Sequence, residues 1–244
     1  MKETTRTYRV IKKLIRLCFR KTEVIGAENL PDEPAIIVGN HCQLYGPILC
    51  ELDFPIHRYT WCAGQMMHRK EVPDYAYRDF WSQKPRFSRP FYRILSYLIT
   101  PLSVCVFNNA NTIPVYRDSR IIGTFKKTVQ QLANGTSVVI FPEQDKPHNH
   151  IIYDFQENFI DIARLYYKKT GKALPFVPLY IAPRLHRMIL GTPIRFRPDA
   201  PMEEERQRIR ACLMEEITAL ACDQPRHRVV PYRNIPKRLY PFSK

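Results

Sequence analysis

The apolar run Ala35-Ile36-Ile37-Val38, followed by Asn40-His41 and then by Gly46-Pro47, constrains the fold of this chain more than any other feature. The run reads as a short strand. The Gly-Pro pair reads as the opening of a helix, because proline is tolerated in a first helical turn. Strand, loop and helix in that order build an α/β sheet. The pattern recurs. A β-prone run at 112–116 leads into a helical stretch at 119–134, stopped by Gly135. A buried strand at 137–141 ends in Pro142-Glu143, and a helical stretch at 155–170 is closed by Gly171. A strand at 175–181, a late hairpin within 188–196 and a helix at 202–222 follow. That last helix carries Glu203, Glu204 and Glu205 in its first turn, where the helix dipole favours carboxylates. The predicted fold is therefore α/β, a mixed, largely parallel sheet flanked by helices. In such sheets, residues just past the strand ends converge at one edge and carry the chemistry.

The remaining segments are predicted as follows. Residues 1–23 form a basic amphipathic helix, with Tyr8, Ile11, Leu14, Ile15 and Cys18 at helical spacing and Arg9, Lys12, Lys13, Arg16 and Arg20 mostly on other faces. Residues 24–222 form the α/β domain, with a further strand around 59–63. Within it, 66–109 mixes aromatic and basic residues and reads as an inserted helical lobe. The apolar stretch 94–107 contains Pro101 and falls short of the roughly 20 residues a spanning helix needs. It reads as a buried helix or a segment dipping into one leaflet. Residues 223–244, rich in Pro, Arg and Tyr, read as a C-terminal arm.

A net charge of +15 implies an anionic partner: a membrane surface, a nucleic acid or a phosphorylated substrate. The seven cysteines are scattered with no C-x-x-C pair, which argues against a structural zinc site and for reduced thiols. No signal-peptide core is evident at the N-terminus. Aromatic and basic residues interleave in 75–93, a nucleic-acid-like composition. That reading leaves His41, Arg117 and Glu143 unexplained, so no nucleic-acid partner is expected.

Those three residues sit just past predicted strand ends. A histidine there can act as a general base near neutral pH. An arginine can fork onto a phosphate. A glutamate can hold an amide, an arginine or a hydroxyl. Taken singly, each is an ordinary structural residue. Their order and flanks say more: Asn40-His41, then Ile113-Pro114-Val115-Tyr116-Arg117, then Val138-Val139-Ile140-Phe141-Pro142-Glu143, then Val177-Pro178.

This succession resembles the lysophospholipid acyltransferase family, the one containing 1-acylglycerol-3-phosphate acyltransferase. The resemblance implies a glycerolipid acyltransferase-like fold. It implies that His41 deprotonates the acceptor hydroxyl, that Glu143 shapes the site beside it, and that Arg117 binds the acceptor phosphate. Asn40, Pro142 and Gln144 would line the substrate site. Oxyanion donors would come from backbone amides around 39–41 or 141–144. The donor would be acyl-CoA or an acyl carrier protein, with no metal and no other cofactor. The partners implied are a lysophospholipid, an anionic membrane surface and an acyl carrier protein, with the chain at the cytoplasmic face of the cell membrane, peripheral or monotopic. Two positions depart from the family pattern. Its aspartate, five residues after the histidine, is Gly46, and the glycine after Phe-Pro-Glu is Gln144. With no carboxylate at 46, the imidazole needs another orienter: a carboxylate from elsewhere, for which Glu143 and Asp145 are the candidates, or a backbone carbonyl, which orients the ring without adding charge. A missing side chain at 46 also suggests room beside His41 for a larger acceptor. The competing expectation is a catalytically inactive lipid- or acyl-carrier-binding protein of the same fold.

Overall fold

A computed structural model describes residues 5–82 and 84–244. In chain order the elements are α1 (Arg6–Cys18), β1 (Glu23–Ile25), β2 (Ile36–Gly39), α2 (Tyr45–Asp53), β3 (Arg58–Ala63), α3 (Val72–Ala76), α4 (Arg89–Leu98), α5 (Thr100–Asn109) and β4 (Thr112–Val115). They continue with α6 (Ile121–Ala133), β5 (Ser137–Ile140), β6 (Glu143–Pro147), β7 (Tyr153–Phe155), α7 (Asp161–Thr170), β8 (Pro175–Ala182), β9 (Arg187–Leu190), β10 (Ile194–Arg195) and α8 (Met202–Cys222). The described residues form two compact units, one within 20–58 and 125–244, the other within 5–19, 59–82 and 84–124.

The first unit holds a sheet in the order β1-β9-β8-β2-β5. β2 runs parallel to both β8 and β5 and β1 runs parallel to β9, while among the described residues β8 pairs antiparallel with β9 and with β10. The sheet is thus mixed and largely parallel, flanked by helices. Every residue of β2, β5 and β8 is buried. That explains their unbroken apolar runs, since a strand covered on both faces has no polar side to alternate with. Helix α8 packs on β8 through Ile209, Leu213 and Ile217. A separate two-stranded ribbon pairs β6 with β7, Glu143 opposite Phe155.

Two expectations change here. The stretch 155–170 is helical only from Asp161, because Phe155 is spent in β7 and a short 3₁₀ turn, Asn158–Ile160, intervenes. The late hairpin joins β8 to β9, and β10 pairs with β8 as well, so 188–196 is not a hairpin of its own.

The second unit contains the parallel pair β3–β4 and the helices α1, α3, α4 and α5. A small core of Met66, Val72 and Ala76 gathers Phe80, Trp81, Ile99, Val104 and Phe107. The apolar stretch 94–107 is broken into two helices bent by 45°. Pro101 lies in the first turn of α5 and lacks the N–H that would continue α4. No single described helix is long and apolar enough to cross a membrane, although this bent pair passes that test together. In α1, Thr5 caps the helix by accepting from the Tyr8 N–H. Tyr8 faces inward, while Val10, Leu14 and Leu17 form a second apolar strip exposed to solvent.

Candidate active site

His41 follows β2, the strand flanked by β8 and β5 in the first unit. The loop after it is unusually tight. Cys42 and Gln43 both adopt left-handed backbone angles, φ 49° and 57°, a conformation that costs non-glycine residues energy and persists only when surroundings enforce it. The enforcement is visible. Asn40 donates to the Ile181 carbonyl at 3.1 Å and accepts the Ile181 N–H at 2.7 Å, and its amide nitrogen also contacts Cys42 Sγ. Cys42 Sγ donates to the same carbonyl. Asn40 therefore clamps the loop to β8, and its amide is fully engaged by protein. Burial raises the Cys42 thiol well above its ordinary pKa, which disqualifies it as a nucleophile.

Position 46 is closed. The Gly46 N–H donates to the His41 carbonyl at 3.1 Å. A β-carbon on Gly46 would lie 2.5 Å from that oxygen and 3.1 Å from the Phe141 ring. The expected space beside His41 does not exist. The turn itself consumes it, and the glycine is what this turn requires.

Glu143 stands at the start of β6, immediately past β5, the strand paired with β2. Its Oε2 accepts the backbone N–H of His41 at 2.5 Å, and its Oε1 accepts that of Tyr153 at 2.8 Å. The two sequence blocks thus meet through the histidine's backbone. With both oxygens held by amides, Glu143 does not orient the imidazole. The His41 amide is also spent, so it is not an oxyanion donor. Burial raises the Glu143 carboxyl to about 7 against the pull of the two amides.

The imidazole has no carboxylate. Its Nδ1 is buried and makes no hydrogen bond among the described residues. Burial lowers its pKa to about 4, and the backbone carbonyls at Gln43 and His41 only partly offset this. Two aromatic rings meet it edge-on instead. Phe141 meets it at 5.4 Å and 70°, and Tyr232 meets it at 5.8 Å and 87°.

Of the other expected residues, Asp145 is committed elsewhere. Arg233 grips both of its oxygens, which holds its carboxyl below the usual range. Gln144 donates to Asp154, which Arg210 also engages. Pro142 is buried and its carbonyl accepts the Gln156 N–H. Arg117 follows β4 in the second unit, where its charge and that of Arg78 pull down the Asp79 carboxyl that burial raises. No cluster of three or more metal-ligating side chains occurs among the described residues. Sequence reasoning missed Tyr232, Arg233 and Tyr240 altogether. The only signal was the tyrosine- and arginine-rich composition of the C-terminal arm.

No protein-family model matches the chain, and no curated protein matches it. Among solved structures, the chain is similar to the 1-acyl-sn-glycerophosphate (LPA) acyltransferase PlsC from Thermotoga maritima. That similarity has 16% identity, covers 87% of this chain and 79% of that one, and has a TM-score of 0.49.

Proposed function

We propose that this chain transfers a fatty acyl group from a thioester, acyl-CoA or acyl carrier protein, to a hydroxyl of a lysophospholipid such as lysophosphatidate at a membrane surface. The observation that carries the reading is the Glu143 carboxylate closing on the His41 backbone at the end of β2. Two blocks a hundred residues apart, each matching the acyltransferase pattern in order, are joined at one atom pair.

The chemistry is direct. Nδ1 is sealed, so the working nitrogen is Nε2. It takes the proton of the acceptor hydroxyl as the oxygen attacks the thioester carbon. The C–O bond forms, the C–S bond breaks, and the imidazolium returns the proton to the departing thiolate. An imidazole with pKa about 4 is neutral at physiological pH and so can accept a proton, as a weaker base than a free histidine. Arg117 binds the acceptor phosphate in this scheme, so Arg117→Ala raises KM for phosphorylated acceptors more than it lowers kcat.

Membrane contact is supported by the second unit. Val10, Leu14 and Leu17 recur at i, i+4 and i+7 on α1, with Lys13 and Arg16 beside them. Phe87, Phe91, Ile94 and Leu98 are likewise exposed on α4 and the turn before it, among Arg86, Arg89 and Arg93. Apolar side chains rimmed by cations suit an anionic leaflet, to which each nearby cation adds about 1 kcal/mol. The cytoplasmic leaflet is the anionic one and is the proposed location.

One observation favours a second reading, a lipid- or acyl-carrier-binding protein without turnover. His41 lacks a hydrogen-bonded orienter, and in a Ser-His-Asp triad that loss costs about 10⁴-fold in turnover. Labelled acyl-CoA and acyl carrier protein, assayed over a panel of lysolipids, separate the two. Transfer abolished by His41→Ala supports the enzyme. Lipid binding with no transfer by either protein supports the second reading.

A further inference from the structure

The C-terminal arm brings a closed loop to the imidazole. Its ends are pinned together: the Val229 N–H donates to Pro241 O at 2.9 Å, and His227 and Ser243 pair beside them. Val229, Val230 and Tyr240 are buried. The tip is fastened to the histidine loop on two sides. Gln43 Nε2 donates to Arg233 O and contacts the Tyr240 hydroxyl, both at 3.1 Å, while Arg233 forks onto Asp145. Tyr232 also meets Tyr153 at 5.6 Å, and the Tyr153 amide holds the same Glu143 that braces His41. The contacts form a ring: His41, Tyr232, Tyr153, Glu143 and back to His41.

We infer that Tyr232 is a positioning residue for His41, its ring and that of Phe141 together fixing the imidazole by edge contacts in place of a carboxylate. The inference rests on reading His41 as the base. The His41 Nδ1 makes no hydrogen bond among the described residues, so only the nearby Gln43 and His41 carbonyls bias the ring about its outer torsion, where the preference is broad. Two rings meeting it at 70° and 87° within the range of favourable aromatic pairs remove that freedom. A tyrosine ring supplies orientation and exclusion of water but no charge. Charged and titratable side chains of the histidine loop, β6 and the arm have partners of their own. Glu143 faces two amides, Asp145 and Arg233 face each other, and Cys42 faces the Ile181 carbonyl.

The test uses the full chain with Tyr232→Phe, Tyr232→Leu and Tyr232→Ala, each checked by thermal melting. Tyr232→Phe keeps the ring and therefore keeps the His41 titration of the wild type. Tyr232→Ala and Tyr232→Leu lower kcat about tenfold with KM little changed, well within the cost of misplacing a catalytic group. Water then reaches the imidazole, and its titration, followed by NMR, moves up from about 4 towards the ordinary 6.5. The acid limb of the pH–rate profile moves with it. Leucine fills much of the ring's volume, so the Leu variant reports if the Ala variant unfolds. Folded Leu or Ala variants with wild-type His41 titration and wild-type kcat overturn the inference. Failure of the acyltransferase reading looks different. Wild type and His41→Ala then both lack transfer, and the NMR titration alone still decides the role of Tyr232.

Discussion

At position 46 the backbone passes so close to the His41 carbonyl that any side chain must push the turn apart. Gly46→Asp is therefore destabilising, by about 2 kcal/mol or more as for other forced overpacking, and it restores no activity. Denaturant unfolding beside the transfer assay checks this; a stable, more active variant would show that the turn yields. The two buried titrating groups make a second prediction, with opposite signs. Glu143 is raised, so the stability it contributes is full below about 4.5 and is lost as pH rises to about 7. His41 is lowered, so its contribution is full above 6.5 and is lost as pH falls to about 4. Each is worth at most about 3 kcal/mol, and between about 4.5 and 6.5 they cancel. His41→Phe exposes the fall with rising pH, and Glu143→Gln exposes the rise. Melting temperatures from pH 4 to 8 report it, and identical profiles for all three proteins would refute the pairing.

At the scale of elements, α1 and α4 each present an apolar strip that their own unit does not cover. Leu17 is 83% exposed, Phe91 64% and Leu98 70%. Leu17→Asp with Phe91→Asp and Leu98→Asp leaves the melting temperature nearly unchanged, since exposed positions contribute little to the core. The same changes weaken binding to anionic vesicles, read by co-sedimentation, because the lost apolar burial and added charge both oppose insertion. Unaltered vesicle binding would remove both helices from the proposed interface. The elements that hold the site behave oppositely. β2, β5 and β8 were legible because both faces are covered and their sequences are unbroken runs. β6 and β7 were not, since Glu143, Gln144 and Asp145 carry no strand pattern and pair only because Phe155 and Tyr153 return alongside them.

For the molecule as a whole, the net charge of +15 governs association more than fold. Binding to phosphatidylserine vesicles should weaken steeply from low salt to about 1 M, where the Debye length falls to about 3 Å. Salt-independent binding would place the energy in the apolar strips alone. The sequence by itself determined the α/β class, the strand-end placement of His41 and Glu143, and the helices from Ile121 and Met202, because apolar periodicity, glycine stops and a charged first turn are local properties. Only the tertiary structure decided how His41 is held. The carboxylate that the family resemblance offered as orienter beside Glu143, Asp145, is taken by Arg233. Glu143 reaches the histidine's backbone and not its ring. The rings that enclose the imidazole come from Phe141 and from Tyr232, nearly two hundred residues away. No local pattern encodes such a contact, because chain closure over that distance is settled by packing of the whole unit and not by any segment's own preference. Gly46, a missing residue in the sequence, is in the folded chain the one residue its turn admits.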